Sequence, residues 1–212
     1  MSATSSFSRT TSSSPPTMRQ TRLMILAGVF AALTVLGAQI RVPLPFVPFS
    51  LQTLFVLLAG SMLGPVYGAG SQVLYLLMGL AGLPVFTRGG GLAYVFQPTF
   101  GYLLGFPVAS LIAGALIHGK QARVQLLPEI KFSKLLLING LATAAILIPG
   151  TLYLWWSTNT LIGTDLSLAR ALWIGALSFL PTDLLKIFAV SYLYRALQPR
   201  LSHLPSQAGY ST

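Results

Sequence analysis

The stretch 174-IGALSFLPTDLLKIFAVSYLY-194 is long and apolar enough to cross a bilayer as a helix, a task that takes about 20 residues. Yet Asp183 and Lys186 lie near its middle. An ionised side chain at mid-bilayer costs about 2.5–3.5 kcal/mol on insertion scales, so two of them on one helix need a reason. Three residues apart, they share a helical face. One reading is a salt bridge that merely neutralises both charges, although buried ion pairs are a poor way to gain stability. The other is a substrate or proton site facing the interior of a helical bundle. A carboxylate accepts hydrogen bonds and an ammonium donates them. Together they match a small neutral group that offers N–H and C=O side by side, such as a urea or an amide. Pro181, two residues before the aspartate, is expected to kink this helix.

The rest of the chain supports a membrane setting. Its 212 residues are 54% hydrophobic and 8% charged, with only three acids, against about 25% charged in a soluble domain. The expected fold class is an all-α integral membrane protein with one membrane domain. The absence of cysteine rules out disulfides and thiolate metal sites. His118 and His203 alone cannot make a multi-histidine metal centre, so no metal and no bound cofactor are expected. With no cysteine, no histidine cluster and no carboxylates paired in sequence, an enzyme is not expected either. The net charge of +10 reads as membrane topology rather than nucleic-acid binding, because cytoplasmic loops collect Lys and Arg.

Six apolar segments are expected to form a six-helix transmembrane bundle: residues 23–40, 51–63, 66–83, 99–117, 135–156 and 168–194. The second and third are joined only by 64-GPVYG-68, which suits a tight hairpin or a partly re-entrant segment. With the N-terminus in the cytoplasm, nine Lys and Arg fall inside (Arg9, Arg19, Arg22, Lys120, Arg123, Lys131, Lys134, Arg195 and Arg200). Arg41, Arg88 and Arg170 fall outside. That bias places both termini in the cytoplasm. Residues 1–22, rich in Ser and Thr, read as a disordered tail, a composition shared with organelle transit peptides. Residues 197–212 read as a second tail, and 23–196 as the membrane domain.

Two outer connections stand out. The first, 41-RVPLPFVPFSLQT-53, carries prolines at 43, 45 and 48 and is expected to be extended and stiff. The second, 84-PVFTRGGGLAYVFQPTFG-101, holds three consecutive glycines, which permit unusual backbone angles. Both suit a lid over a site or interfacial anchoring. Arg88 in the glycine loop can meet a carboxylate, so the expected ligand is polar at its deep end and anionic at its mouth. Tyr, Phe and Trp side chains are expected to enclose its middle. The spacings Gly60/Gly64, Gly64/Gly68 and Gly101/Gly105 suit close packing inside the bundle. Ala27 and Ala31 could instead face a membrane partner. The segment 114-GALIHGKQ-121 falls short of a phosphate-binding loop, because Gln121 replaces the magnesium-binding hydroxyl; ATP binding by this chain is not expected.

Three runs carry a family resemblance: VPLPFVPFSLQTLFVLLAGSMLGPVYGAGSQVLYLLMGLAGLPVF (42–86), GGGLAYVFQPTFGYLLGF (89–106) and LPTDLLKI (180–187). In this order they resemble the BioY family, the biotin-specific S components of energy-coupling-factor vitamin transporters, over about residues 23–196. The resemblance implies biotin capture at the outer side of a bacterial cytoplasmic membrane. It also implies a transmembrane T subunit and two cytoplasmic ATPases as partners, which would use the ATP, with the first helix and its Ala27 and Ala31 meeting the T subunit. By the same resemblance Asp183 and Lys186 hold the fused ureido ring. Arg88 is placed near the carboxylate, and Gln52, Tyr75 and Gln97 are further candidate contacts. The segment 97-QPTFG-101 departs from the family pattern, where a glycine more often precedes the proline and a glycine pair follows the threonine. Gln97 and Phe100 are therefore expected to reshape the pocket. Two other functions fit the same residues: an S component for another vitamin, such as thiamine or riboflavin, and a stand-alone proton-coupled carrier using Asp183 as relay.

Overall fold

A computed structural model describes residues 18–42, 49–119 and 128–202. The first helix, α1, spans Met18–Gln39, so it begins inside the stretch read as a tail. Two short strands follow, β1 (Arg41–Val42) and β2 (Phe49–Ser50), which pair antiparallel. They clip the ends of the proline segment together; Pro43, Pro45 and Pro48 lie outside the described residues. The helices α2 (Gln52–Leu80), α3 (Phe100–His118), α4 (Phe132–Ser157), α5 (Leu168–Gly175) and α6 (Leu180–Ser202) complete the bundle. Five helical stretches among the described residues are long and apolar enough to cross a membrane. The protein is a multi-pass membrane protein.

The helix α2 is not straight. Gly64 sits at φ 76° and ψ −178°, a conformation that suits glycine. Pro65 follows at the start of the next turn, where its missing N–H costs nothing. Gln52 donates a hydrogen bond to the Tyr75 hydroxyl, 23 residues away, and the Cα of Gly60 lies 2.7 Å from where a Cβ on Gly68 would stand. A straight helix would hold Gln52 and Tyr75 about 35 Å apart. The chain therefore folds back at Gly64, and arms 52–63 and 65–80 lie side by side. The hairpin reading of the short 64–68 connection is the one the structure adopts.

Close approach of backbones organises the packing around this hairpin. A Cβ on Gly60 would stand 2.3 Å from the Ser110 carbonyl oxygen, and one on Gly114 would stand 2.4 Å from the Pro65 nitrogen. The glycines of α2 thus seat α3 against both arms. On α3, Gly101 abuts Tyr153 and the Pro149 carbonyl, and Gly105 abuts Ile146, so α3 and α4 run antiparallel. Helix association in lipid depends on such van der Waals contact and on hydrogen bonds between helices rather than on hydrophobic burial. One set of those bonds sits at the end of the bundle near Gly64. Ser61 donates to Asn139, Asn139 donates to Ser191, and the His118 ring bonds the Ser61 carbonyl oxygen at 2.8 Å. On the other flank, Thr34 and Gln72 tie α1 to α2.

The stretch read as one helix over 168–194 is interrupted. Helix α5 ends at Gly175, Ala176 takes φ −131° and ψ −60°, and one 3-10 turn over Leu177–Phe179 leads into α6. Pro181 fits this break: it has no N–H to give the Leu177 carbonyl and disfavours continuous helix before it, and it stands as the second residue of α6, a first-turn position that proline tolerates. The break also has a tertiary partner: Tyr102 on α3 donates to the Gly175 carbonyl oxygen at 2.7 Å, replacing the helical bond that the break removes.

Gly60→Ala is expected to lower the thermal unfolding midpoint of the detergent-purified protein, because its methyl group would push α2 off α3 at a cost of about 1–3 kcal/mol. Gly70→Ala, whose added Cβ meets nothing within 4 Å, is expected to leave it unchanged or raise it, since alanine favours a helix more than glycine does. Equal midpoints for the two variants would contradict glycine-mediated contact at Gly60.

Candidate ligand-binding site

A cavity of about 540 Å³, its mouth included, opens at the end of the bundle opposite Gly64. Four parts of the chain converge on it: β2 with the first turn of α2, the connection leading into α3 with the first turns of α3, the middle of α4, and the start of α6. Leu103, Phe106, Ile146, Leu147 and Phe179 form its apolar wall. The polar wall has two parts.

The first part is the charge pair. Lys186 Nζ lies 3.0 Å from Asp183 Oδ1, and both side chains are 6% exposed. The interruption before α6 sets this geometry, since it puts Asp183 in the first turn of a helix, where backbone N–H groups and the helix dipole favour a carboxylate. Lys186 also donates to the Thr53 hydroxyl at 2.7 Å and lies 4.5 Å from the centre of the Phe49 ring. The lysine thereby joins α6 to α2 through a hydrogen bond and to β2 through a cation–π contact, while its ion pair stays within α6. Gln52 lines the cavity beside them, accepting from the Ser50 hydroxyl at 2.9 Å.

The second part is a set of hydroxyls. Tyr94 Oη lies 3.2 Å from Thr87 Oγ1 and 3.2 Å from Thr99 Oγ1. All three residues line the cavity and are at most 6% exposed. The Phe86 ring, stacked at a tilt 4.6 Å from Tyr94, locks the loop that carries them. It fills the space over Gly79, where any Cβ would stand 2.0 Å from the ring.

The structure distributes the sequence candidates unevenly. Asp183, Lys186 and Gln52 meet in the cavity wall. Tyr75 stands behind Gln52, fully buried, and donates to the Val85 carbonyl oxygen; it supports the wall without lining it. Arg88 is exposed beside Thr87. Gln97 caps the 3-10 turn Leu92–Phe96 through its backbone and is not a lining residue. Phe100 packs on Tyr153, with ring centres 6.0 Å apart. Of the divergent 97–101 segment, Thr99 lines the wall. The tryptophans do not enclose the ligand space: Trp155, Trp156 and Trp173 are exposed on the outside of the bundle. Ala31 is 1% exposed and packs within the chain itself, while Ala27 is half-buried against the core. Phe49, Thr53, Thr87, Tyr94, Thr99 and Tyr102 escape sequence reasoning as wall residues. The one signal for Thr53, Thr87 and Thr99 is position, next to Gln52, next to Arg88, and at the head of an apolar helix.

A helical membrane bundle with a small, mostly apolar cavity and a buried charge pair in its wall defines the class: a polytopic membrane protein that holds a small polar molecule. The chain belongs to the BioY family, which matches residues 8–203. It is 38% identical over 179 residues to a protein of Lysinibacillus sphaericus described as a probable biotin transporter BioY, covering 84% of this chain and 88% of that one. It is 32% identical over 197 residues to the biotin transporter BioY of Rhizobium etli, covering 89% and 99%. Its fold is that of a crystal structure described as the S-component for biotin from an ECF-type ABC transporter. The TM-score is 0.74 at 23% identity, over 88% of this chain and 95% of that one.

Lys186→Met is expected to destabilise the protein by about 3–5 kcal/mol, since it strands the buried Asp183 charge. The double variant Asp183→Asn, Lys186→Met is expected to regain most of that loss in thermal unfolding. A double variant as unstable as the single one would show that the pair does not act as a unit.

Proposed function

We propose that this protein captures biotin and serves its uptake across the membrane as the substrate-binding subunit of an ECF-type transporter. The observation that carries this reading is the Asp183–Lys186 pair in the wall of the cavity, within a chain of the BioY family. Biotin offers a fused ureido ring with two N–H donors and one carbonyl acceptor. The Asp183 carboxylate has acceptor sites beyond the one that Lys186 engages and would take the N–H groups. Lys186 would balance that charge and donate to the ureido oxygen. The apolar wall suits the thioether ring and the alkyl chain. The carboxylate would then point to the loop before α3, with Arg88 contributing positive charge at the rim and Gln52, Tyr75 and Gln97 supporting the site from around it.

The topology we infer has six crossings. Each arm of α2 counts as one, and the interrupted pair α5–α6 counts as one. The packing of Gly64 and Pro65 against Gly114, near the end of α3, supports this count, since the hairpin reaches almost as deep as α3 does. The distribution of Lys and Arg supports cytoplasmic termini. The membrane would be the bacterial cytoplasmic membrane, and the mouth of the cavity would face outward. Transport would draw on a membrane-embedded T subunit and two ATPases, with ATP bound by those partners and no cofactor held here.

Calorimetry on the purified protein tests the reading, with thiamine as comparator. Selective biotin binding is expected, and Asp183→Asn is expected to weaken it by about 10- to 100-fold, the range for hydrogen bonds to a charged group. A folded wild-type sample that prefers thiamine would overturn the substrate, and unchanged affinity in Asp183→Asn would overturn the site.

A further inference from the structure

The hydroxyl cluster of Thr87, Tyr94 and Thr99 has a donor to spare. Each hydroxyl carries one proton, and the three residues share two hydrogen bonds. However the protons are arranged, those two bonds consume two of them. The third O–H is left over, on a residue that lines the cavity.

The neighbourhood of that donor favours negative charge. Thr99 is the N-cap of α3, where a threonine hydroxyl ordinarily accepts from a first-turn N–H. Here the side chain makes no capping bond, and the first turn has no acidic residue. The positive end of the α3 dipole is therefore not answered by a side chain of its own helix, and it abuts the cavity through Thr99, Tyr102 and Leu103. The cation in the wall is already neutralised, because Lys186 is paired with Asp183. An anionic group in the cavity would gain little from that end and more from the hydroxyl end.

We infer that the Thr87–Tyr94–Thr99 hydroxyl cluster is the seat of the ligand's carboxylate. This rests on the biotin reading above and assigns the buried contacts of the acid end to hydroxyls. Arg88, exposed one residue from Thr87, acts from outside the cavity.

Tyr94→Phe is the informative variant, since it keeps the ring that packs on Phe86 and removes the hydroxyl shared by both threonines. Binding of biotin and of biotin methyl ester is measured on the full chain in detergent. The expected result is a loss of at least about tenfold for biotin and of less than about threefold for the ester, the difference between a hydrogen bond to a charged acceptor and one to a neutral acceptor. Should Tyr94→Phe fail to fold, Thr87→Val carries the same comparison. Equal losses for acid and ester, or no loss for either, overturn the hydroxyl seat while leaving biotin as the ligand. A folded wild type that binds neither compound overturns the biotin reading and the seat with it.

Discussion

Backbone contact between the α2 hairpin and α3 is the constraint on which the remaining architecture rests. With Ser110 and Pro65 touching the positions where side chains on Gly60 and Gly114 would begin, these contacts set the depth at which α3 sits. That depth in turn places Gly101 and Gly105 against α4, and Tyr102 against the end of α5. Lipid gives no solvent-driven reason for helices to associate. The bundle therefore holds through small residues at its contacts and through the bonds of Ser61, Asn139 and Ser191 where three helices meet.

The cavity follows from the same contacts. Where glycines bring the helices together the bundle is dense, and Ser61, Asn139 and Ser191 bond to one another there. At the other end the connections take over, and side chains such as Phe49, Phe106 and Phe179 hold the elements apart. The interruption before α6 belongs to this end. It exchanges continuous helix for a fresh N-terminus beside the cavity, and Asp183 stands in its first turn. The hydrogen bond from Tyr102 to Gly175 makes that exchange tolerable in a medium where an unmet carbonyl costs several kcal/mol.

Much of this is legible in the sequence, for physical reasons. Apolar segment length reveals the helices, and Gly64-Pro65 between two short segments reveals the reversal. Asp183 and Lys186 stand out because charge is scarce in such a chain and their spacing puts them on one face. Pro181 flags the break that precedes it, whereas the place of the break at Ala176 is hidden, because the tyrosine that meets the freed Gly175 carbonyl lies more than 70 residues upstream. The hydroxyl cluster is hidden for a related reason. Threonine and tyrosine are ordinary in loops, and only folding brings Thr87, Tyr94 and Thr99 together. The small face of Ala27 and Ala31 fits a neighbouring helix of the same chain as well as it would fit another protein, and spacing alone cannot distinguish the two.

Asp183 and Lys186 are carried by one helix, whereas Thr53 and Phe49 are carried by others. The seam between α6 and the start of α2 therefore separates a balanced pair from neutral groups. Parting that seam breaks one hydrogen bond and one ring contact, and it leaves no lone charge on either side. Asp183 and Lys186 would be displaced together as an electrically neutral unit, so a voltage across the membrane would do little work on their displacement.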